Sequence, residues 1–357
     1  MQTIPKLKLL AERLDLSEST VSRALNNYSD IAEQTKELVR NLADEMGYQP
    51  NIHARRLASG KADTVAFVMP PLNDQLNNSF FSELMTGMAL ALDKRGWDLQ
   101  ILAPNNAAEQ SKFFKRISRS GNISGLVISR TLIQDPRFEI LKKLEIPFIS
   151  FGRSENIEES AWVDVDNKKA FIEMTEHLFN LGHRAIASIG GPPIYNFTKQ
   201  RAEGWSQAMA ELDVSVPHQY QETSELSFEG GKAAMKRLLS LGAPPTAVCC
   251  VSDVVAIGAM QALRENGLQP GSDVSLIGYD GLNIGDWLEP PLSTMRQPIE
   301  EAGRQLSEML IKIIEGGQNT SAFQKLFRAT LVRRGTDNPP NLDGSHPENS
   351  SQLKTKN

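Results

Sequence analysis

The chain has 357 residues, with 38 Lys+Arg against 43 Asp+Glu for a formal charge of −5, 40% hydrophobic and 23% charged. That length calls for two or three domains with buried cores, and the mixture excludes a disordered or fibrous chain. The adjacent pair Cys249–Cys250 excludes a disulfide framework or Cys-rich zinc site, and no apolar run reaches a membrane span.

Residues 1–50 carry three short helical patterns. Leu7, Leu10, Ala11 and Leu14 share one face of a first helix that ends near Asp15-Leu16. Lys6, Lys8, Glu12, Arg13 and Asp15 leave no apolar stretch for a signal peptide, so a soluble, cytoplasmic protein is expected. Ser17 suits the N-cap of a second helix, with Glu18 on the positive end of its dipole and Val21 and Leu25 as its apolar stripe. A third helix from about Glu33 to Met46 is predicted to bury Leu38, Val39, Leu42 and Met46 and to stop at Gly47. Tyr48-Gln49-Pro50-Asn51 is a connector into a short helix through Leu57.

From residue 62 short apolar runs alternate with amphipathic helices, the rhythm of parallel α/β sheets. The runs are Thr64–Pro70, Leu99–Ala103, Gly125–Ser129, Pro147–Phe151, Ala185–Ile189, Ala247–Ser252 and Val274–Tyr279. Helices are predicted between them, among them Phe81–Arg95, Lys168–Leu181, Gln200–Leu212, Phe228–Leu241 and Val254–Asn266. So many βα units exceed one sheet, and two similar subdomains with a cleft between them are expected. The two cysteines read as small buried hydrophobes of a strand. The Pro/Asn/Ser-rich stretch beyond Thr336 reads as a disordered tail without a leucine heptad.

Catalytic signatures are missing. There is no G-x-G-x-x-G after a strand, no H-E-x-x-H and no G-x-S-x-G, and Gly60-Lys61 and Gly231-Lys232 lack the earlier glycine of a phosphate loop. His177 and His183 lie six apart across a helix end, poor geometry for one metal, and His183 is expected to cap helix carbonyls. No catalytic residue, metal or cofactor is therefore expected.

The stretch Leu10–Asn26 (LAERLDLSESTVSRALN) resembles the helix-turn-helix of the LacI/GalR repressor family, and Tyr48–Asn51 with Ala54-Arg55-Arg56-Leu57-Ala58-Ser59-Gly60 resembles that family's hinge. Asp15 replaces the glycine often found in the turn. The resemblance continues through Val165-Asp166-Asn167, His177–Arg184, Gly190-Gly191-Pro192, Arg201–Trp205, Asp253 and Ile277-Gly278-Tyr279-Asp280. It implies an all-α helix-turn-helix headpiece with a hinge helix, then an α/β core like periplasmic binding proteins, with two Rossmann-like subdomains. The boundaries expected are 1–50 for the headpiece, 51–61 for the hinge, 62–336 for the core and 337–357 for the tail. Within the core, 62–162 with 293–321 would form one subdomain and 163–292 with 322–336 the other.

The resemblance also implies roles. Glu18 and Ser19 match the pair that chooses bases, Thr20, Ser22 and Asn26 match phosphate contacts, and Arg23 matches an arginine that donates to a guanine edge. Ser17, Asn51 and Ala54 belong to the same DNA-facing set, and Leu57 matches a leucine wedged into a minor-groove step. Glu18 reads equally as a helix-dipole charge. Asp280 and Arg201 match the family's principal effector contacts, Phe80 and Phe81 its covering aromatics, and Tyr195 and Phe197 its wall. Arg130, Arg153 and Ser252 are candidates because they follow apolar runs, where open α/β sheets bind ligand. Trp205 is assigned to core.

The implied function is a DNA-binding repressor, a homodimer released from a pseudo-palindromic operator by a sugar, with α-glucosides suggested by Ile128–Thr131 and Phe151–Arg153. Corepression or activation stays open, and a solute-binding protein or an α/β enzyme using the cleft are the rivals of another class. Residues 1–61 hold nine Lys+Arg and eight Asp+Glu, against 29 and 35 beyond, so the acidity lies outside the part that would meet DNA.

Overall fold

The computed structural model describes residues 7–25, 28–48, 62–70, 79–104, 110–155, 159–214, 217–316 and 319–341. They fall into two compact units, Met1–Asp63 and Thr64–Asn357. The first contains α1 (Leu7–Leu14), α2 (Glu18–Leu25) and α3 (Glu33–Glu45). Leu10, Ala11, Val21, Ala24, Val39 and Ala43 form its core, with Leu14, Leu16, Leu25 and Leu42 packed around it.

Asp15 makes the turn between α1 and α2 at φ +51°, and the Leu16 N–H donates to the Ala11 carbonyl at 3.0 Å. A short polar side chain tolerates this left-handed conformation better than most. Ser17 begins α2 by accepting the Thr20 N–H on its Oγ at 3.0 Å. One expectation fails on α3, where Leu38 is 55% exposed. The helical phase set by Val39 turns Lys36 and Ala43 inward instead, and Lys36 is tied to Glu33 at 3.1 Å. The predicted hinge helix, with Asn51, Ala54 and Leu57, lies outside the described residues, as does Asn26.

The second unit runs β1 (Thr64–Val68), α4 (Ser79–Asp93), β2 (Asp98–Leu102), α5 (Gln110–Ser120), β3 (Gly125–Ile128), α6 (Pro136–Lys143), β4 (Phe148–Phe151) and β5 (Trp162–Val165). Next come α7 (Asn167–Asn180), β6 (Ile186–Gly190), α8 (Asn196–Glu211), β7 (Gln221–Thr223), α9 (Phe228–Leu239), β8 (Ala247–Cys250), α10 (Asp253–Glu265) and β9 (Ser275–Asp280). β10 (Ser293–Arg296), α11 (Ile299–Ile314), β11 (Gln324–Phe327) and β12 (Thr330–Val332) complete it. Two six-stranded sheets result, ordered β11-β5-β4-β3-β1-β2 and β12-β10-β9-β8-β6-β7. Every pair is parallel except β10 with β12, so helices must cover both faces of each sheet.

The chain passes between the sheets three times, after β5, after β10 and after β11. Each passage lies a few residues beyond the boundary expected from sequence. β10 was expected with the first subdomain, yet it pairs with β9 from Ser293↔Ile277 to Arg296↔Asp280. β11 was expected with the second, yet it pairs with β5 from Gln324↔Trp162. Neither strand is an apolar run, so backbone pairing alone reveals where it belongs.

Glycine lets the covering helices approach closely. A Cβ on Gly231 of α9 would lie 2.1 Å from the Val255 carbonyl oxygen of α10, and one on Gly258 would lie 2.0 Å from that of Phe228. Gly87 and Gly303 play the same part where α4 crosses α11. Cys249 and Cys250 are fully buried in β8, and burial pushes the Cys249 thiol up to about 12, which leaves it inert.

The tail starts later than expected, because residues 336–338 strap the second sheet. Thr336 exchanges hydrogen bonds with Leu276 at 2.8 and 2.7 Å, and Asn338 does so with Ser275 Oγ. His183 bonds the Asn338 carbonyl at 2.8 Å and Thr246 Oγ1 at 2.9 Å rather than capping helix carbonyls. Buried Asp337 accepts from His177 Nε2 at 2.7 Å, Arg333 Nε at 2.8 Å and Ser293 Oγ. Burial alone would raise its pKa, but these three donors together hold it at about 2.

A carboxyl depressed in the folded state stabilises above its unfolded pKa and loses that contribution as pH falls toward 2. Asp337→Ala should therefore cost ~2–4 kcal/mol at pH 7 by urea denaturation, leaving Ser293 and Arg333 without their acceptor. The gap between variant and parent should close as the pH drops from 4 to 2, and a gap independent of pH would exclude the charge as its origin.

Candidate functional site

In the first unit, α2 buries Val21 and Ala24 and turns Ser17, Glu18, Ser19 and Arg23 to solvent, with Thr20 and Ser22 half-buried beside them. Polar side chains thus occupy the N-terminal half of an outward-facing helix face, the part that enters a major groove in helix-turn-helix proteins. Arg23 forms an ion pair with Asp30 and lies 5.4 Å from the Tyr28 ring.

In the second unit, the carboxyl ends of the strands in both sheets face a cleft of about 720 Å³, counting its open mouth. Phe80 and Phe81 reach it from the start of α4, Arg130 from the end of β3, and Phe197 and Arg201 from the first turns of α8. Ser252 reaches it from the N-cap of α10 and Asp280 from the last residue of β9. Seven of the nine residues expected at such a site therefore line it.

The other two are not among the lining residues. Tyr195 stacks on Phe197 with ring centroids 5.6 Å apart and lies 5.9 Å from the Arg130 guanidinium. Arg153 is engaged by Asp164, with Nε–Oδ2 at 2.7 Å, and by Gln200 at 3.3 Å.

Arg201 is 6% exposed and fixed on several sides. Its Nε donates to Asn167 Oδ1 at 2.9 Å and Nη1 to the Val251 carbonyl at 2.5 Å. The guanidinium lies 3.7 Å from the Tyr279 ring and 4.8 Å from that of Phe197. Planar geometry is what allows one group to hydrogen-bond at its edge and stack on its faces.

Asp280 is equally buried, at φ +123°, a conformation that costs free energy and collects at functional sites. Its Oδ1 accepts from Gln297 Nε2 at 2.8 Å, and its carbonyl accepts the Gln297 N–H at 3.1 Å. Beneath it lies Asp253, which accepts the N–H groups of Gly281 and Leu282 at 2.9 and 2.7 Å and the Thr294 hydroxyl at 2.6 Å. Glycine is required at 278, because a Cβ there would sit 2.2 Å from Asp253 Oδ1.

Burial raises the pKa of both carboxyls, and the charge of Asp280 raises that of Asp253 further; Arg201, the Gln297 hydrogen bond and Arg130 pull Asp280 back toward ionisation. Burial lowers that of Arg130, opposed by Tyr195 and Asp280. Asp164 is also raised by burial, with Arg153 opposing.

The sequence reading missed Ser129, Thr131, Phe151, Asp164, Asn167 and Gln297, all of which line the cleft. For Ser129 and Phe151 a signal was available, since they close two of the apolar runs. Ser129 Oγ is buried with no hydrogen-bond partner among the described residues. The cleft as a whole offers fixed donors and acceptors beside aromatic faces. Among the described residues no cluster of His, Cys, Asp and Glu could hold a metal ion, and no helix is long and apolar enough to cross a membrane.

The comparisons agree with this two-part layout. Residues 6–51 match the family described as bacterial regulatory proteins, lacI family, and residues 175–336 match a periplasmic binding protein-like domain. The HTH-type transcriptional regulator AglR of Rhizobium meliloti (strain 1021) is 36% identical over 353 residues, 97% of this chain and 98% of the relative. The HTH-type transcriptional regulator RafR of Escherichia coli is 34% identical over 88% of this chain and 94% of its own. A solved complex of the transcriptional regulator CelR with cellobiose superposes with a TM-score of 0.73 at 26% identity, covering 93% of this chain and 99% of that one.

A carboxyl whose folded pKa is raised destabilises the fold when ionised, and stability rises as pH falls through the folded value. Asp280 is shifted from 3.8 to about 6. Asp280→Asn keeps an acceptor for Gln297 and removes the charge, so it should stabilise the protein by of order 1 kcal/mol at pH 7.5, seen as a higher melting temperature. The advantage should shrink by pH 5, where the parent takes up its own proton. A scanning-fluorimetry series showing the same difference at pH 5 and 8 would contradict it.

Proposed function

The chain belongs to the LacI family of bacterial regulatory proteins, and on that premise we propose that it is a cytoplasmic, sequence-specific DNA-binding repressor released by a neutral sugar. The observation that carries this reading is the cleft itself, where rigidly held Arg201 and Asp280, both supplied by the lobe of the second sheet, lie among Phe80, Phe81, Phe151 and Phe197. Sugars present hydroxyls that match such donor–acceptor pairs and C–H faces that match aromatic rings. Cellobiose is the ligand of the solved relative, and the resemblance around Arg130 and Arg153 favours an α-glucoside.

Ser17, Glu18, Ser19, Thr20, Ser22 and Arg23 would meet the major groove and its phosphates. Arg23 must leave Asp30 to reach a guanine edge. One headpiece buries too little surface for a tight specific site, so a homodimer on a pseudo-palindrome follows. Sugar and DNA would favour different conformations of the core, so that each lowers the affinity for the other.

Selection from random duplex DNA should recover pseudo-palindromes. A thermal-shift panel of maltose, sucrose, trehalose, raffinose and cellobiose should find a sugar that stabilises the protein and displaces the selected DNA. Arg23→Ala should weaken the selected site at least ~10-fold while leaving the sugar-induced shift intact. Unchanged discrimination between selected and random DNA would remove Arg23 from the groove.

A further inference from the structure

Arg130 reaches the cleft from a difficult backbone position. Its φ is +50°, a left-handed conformation that an L-residue with a long side chain adopts only when its surroundings impose it. What imposes it lies outside the cleft, in the ion pair of Asp135 and Arg137.

Asp135 is fully buried and Arg137 is 7% exposed. Arg137 Nε donates to both Asp135 oxygens at 2.9 and 3.1 Å, and Nη2 donates to Oδ2 at 2.6 Å. The same Nη2 donates to the carbonyls of Ser129 and Arg130 at 3.0 and 3.1 Å. Asp135 meanwhile accepts the Leu132 N–H at 3.1 Å and the Arg137 N–H at 3.0 Å. One ion pair thus holds both ends of the loop that carries Arg130.

The loop also touches α8 through its backbone. The Ile133 N–H donates to the Ile194 carbonyl, and the Asn196 N–H donates to the Thr131 carbonyl, both at 3.0 Å. α8 in turn carries Phe197 and Arg201. An error at residues 129–133 therefore displaces groups on both walls of the cleft. A buried ion pair is weak evidence of a gain in stability, whereas its fixed geometry is well suited to placing a loop.

Resting on the sugar-cleft reading, we infer that Arg137, which does not line the cleft, is a positioning residue for Arg130 and a determinant of ligand affinity. Lysine cannot replace it, because a single ammonium cannot span the two carbonyls and the carboxylate with a planar fork.

The test uses the full chain with Arg137→Met, and Arg137→Lys as the variant that keeps the buried charge should the first not fold. Hydrogen exchange followed by mass spectrometry should show amides 131–133 and 196 exchanging ~10-fold faster, with those of β6 and β8 unchanged. Titration with sucrose, maltose and cellobiose should show at least a ~10-fold loss of affinity for whichever binds the parent. In an Arg130→Ala background, the Arg137 substitution should cost much less affinity than it does in the parent, leaving only the part transmitted through α8. Unchanged exchange in the loop, or an undiminished loss in the Arg130→Ala background, would overturn the assignment. If the parent binds neither these three nor the trehalose and raffinose of the thermal-shift panel, the sugar reading is what fails, and the exchange result alone decides the role of Arg137.

Discussion

A guanidinium taken out of water must be matched on its edge and on its faces, and the interior of the core is arranged around that demand at Arg201. The edge meets Asn167 at the start of α7 and the carbonyl of Val251 just past β8, while the faces meet Tyr279 of β9 and Phe197 of its own helix. Four segments far apart in sequence are thereby fixed against one group. The carboxyls of Asp280, Asp253 and Asp164 lie in the same region, and their raised pKa values express how little water is left to them. Such an arrangement spends stability to hold charges where a polar ligand can use them.

The alternation of apolar runs and helices was legible because strands buried on both faces read as continuous hydrophobic stretches. β1, β3, β8 and β9 are of that kind, each buried along its whole length. The strands that escaped notice are those where this signal is absent. β7 and β12 are short edges with exposed residues, β11 is an edge with no buried residue, β5 is four residues interrupted by Asp164, and β10 is Ser-Thr-Met-Arg. In β10 the polar residues are inside because Thr294 serves Asp253 and Ser293 serves Asp337. A hydrophobicity pattern cannot register a strand buried by its hydrogen bonds.

The same contrast holds for the cleft. Asp280, Arg201 and Phe81 were legible through the family resemblance and their place at the ends of runs and helices. Asp164, Asn167 and Gln297 were not, because their presence depends on β5 pairing beside β4 in the first sheet and β10 beside β9 in the second. Arg153 shows the converse, since its place after β4 is right for a cleft residue but its guanidinium is taken up in an ion pair with Asp164 and does not itself line the cleft. Asp15 was legible for a different reason, as its left-handed turn is a property of one residue and its neighbours.

The helix pairs closed by glycine have a consequence for the order in which the chain is made. α11 reaches back to lie on α4, with Gly303 against Leu84 and Gly87 against Glu300, and β11 completes the edge beside β5. The first sheet is therefore laid down early but loses one covering helix and one strand until residue 327 has left the ribosome. The second sheet waits for β12 and the strap at 336–338. The three-helix unit, whose core is self-contained, has no such debt to later residues. During synthesis a finished headpiece would precede, by most of the chain's length, the domain proposed to control it.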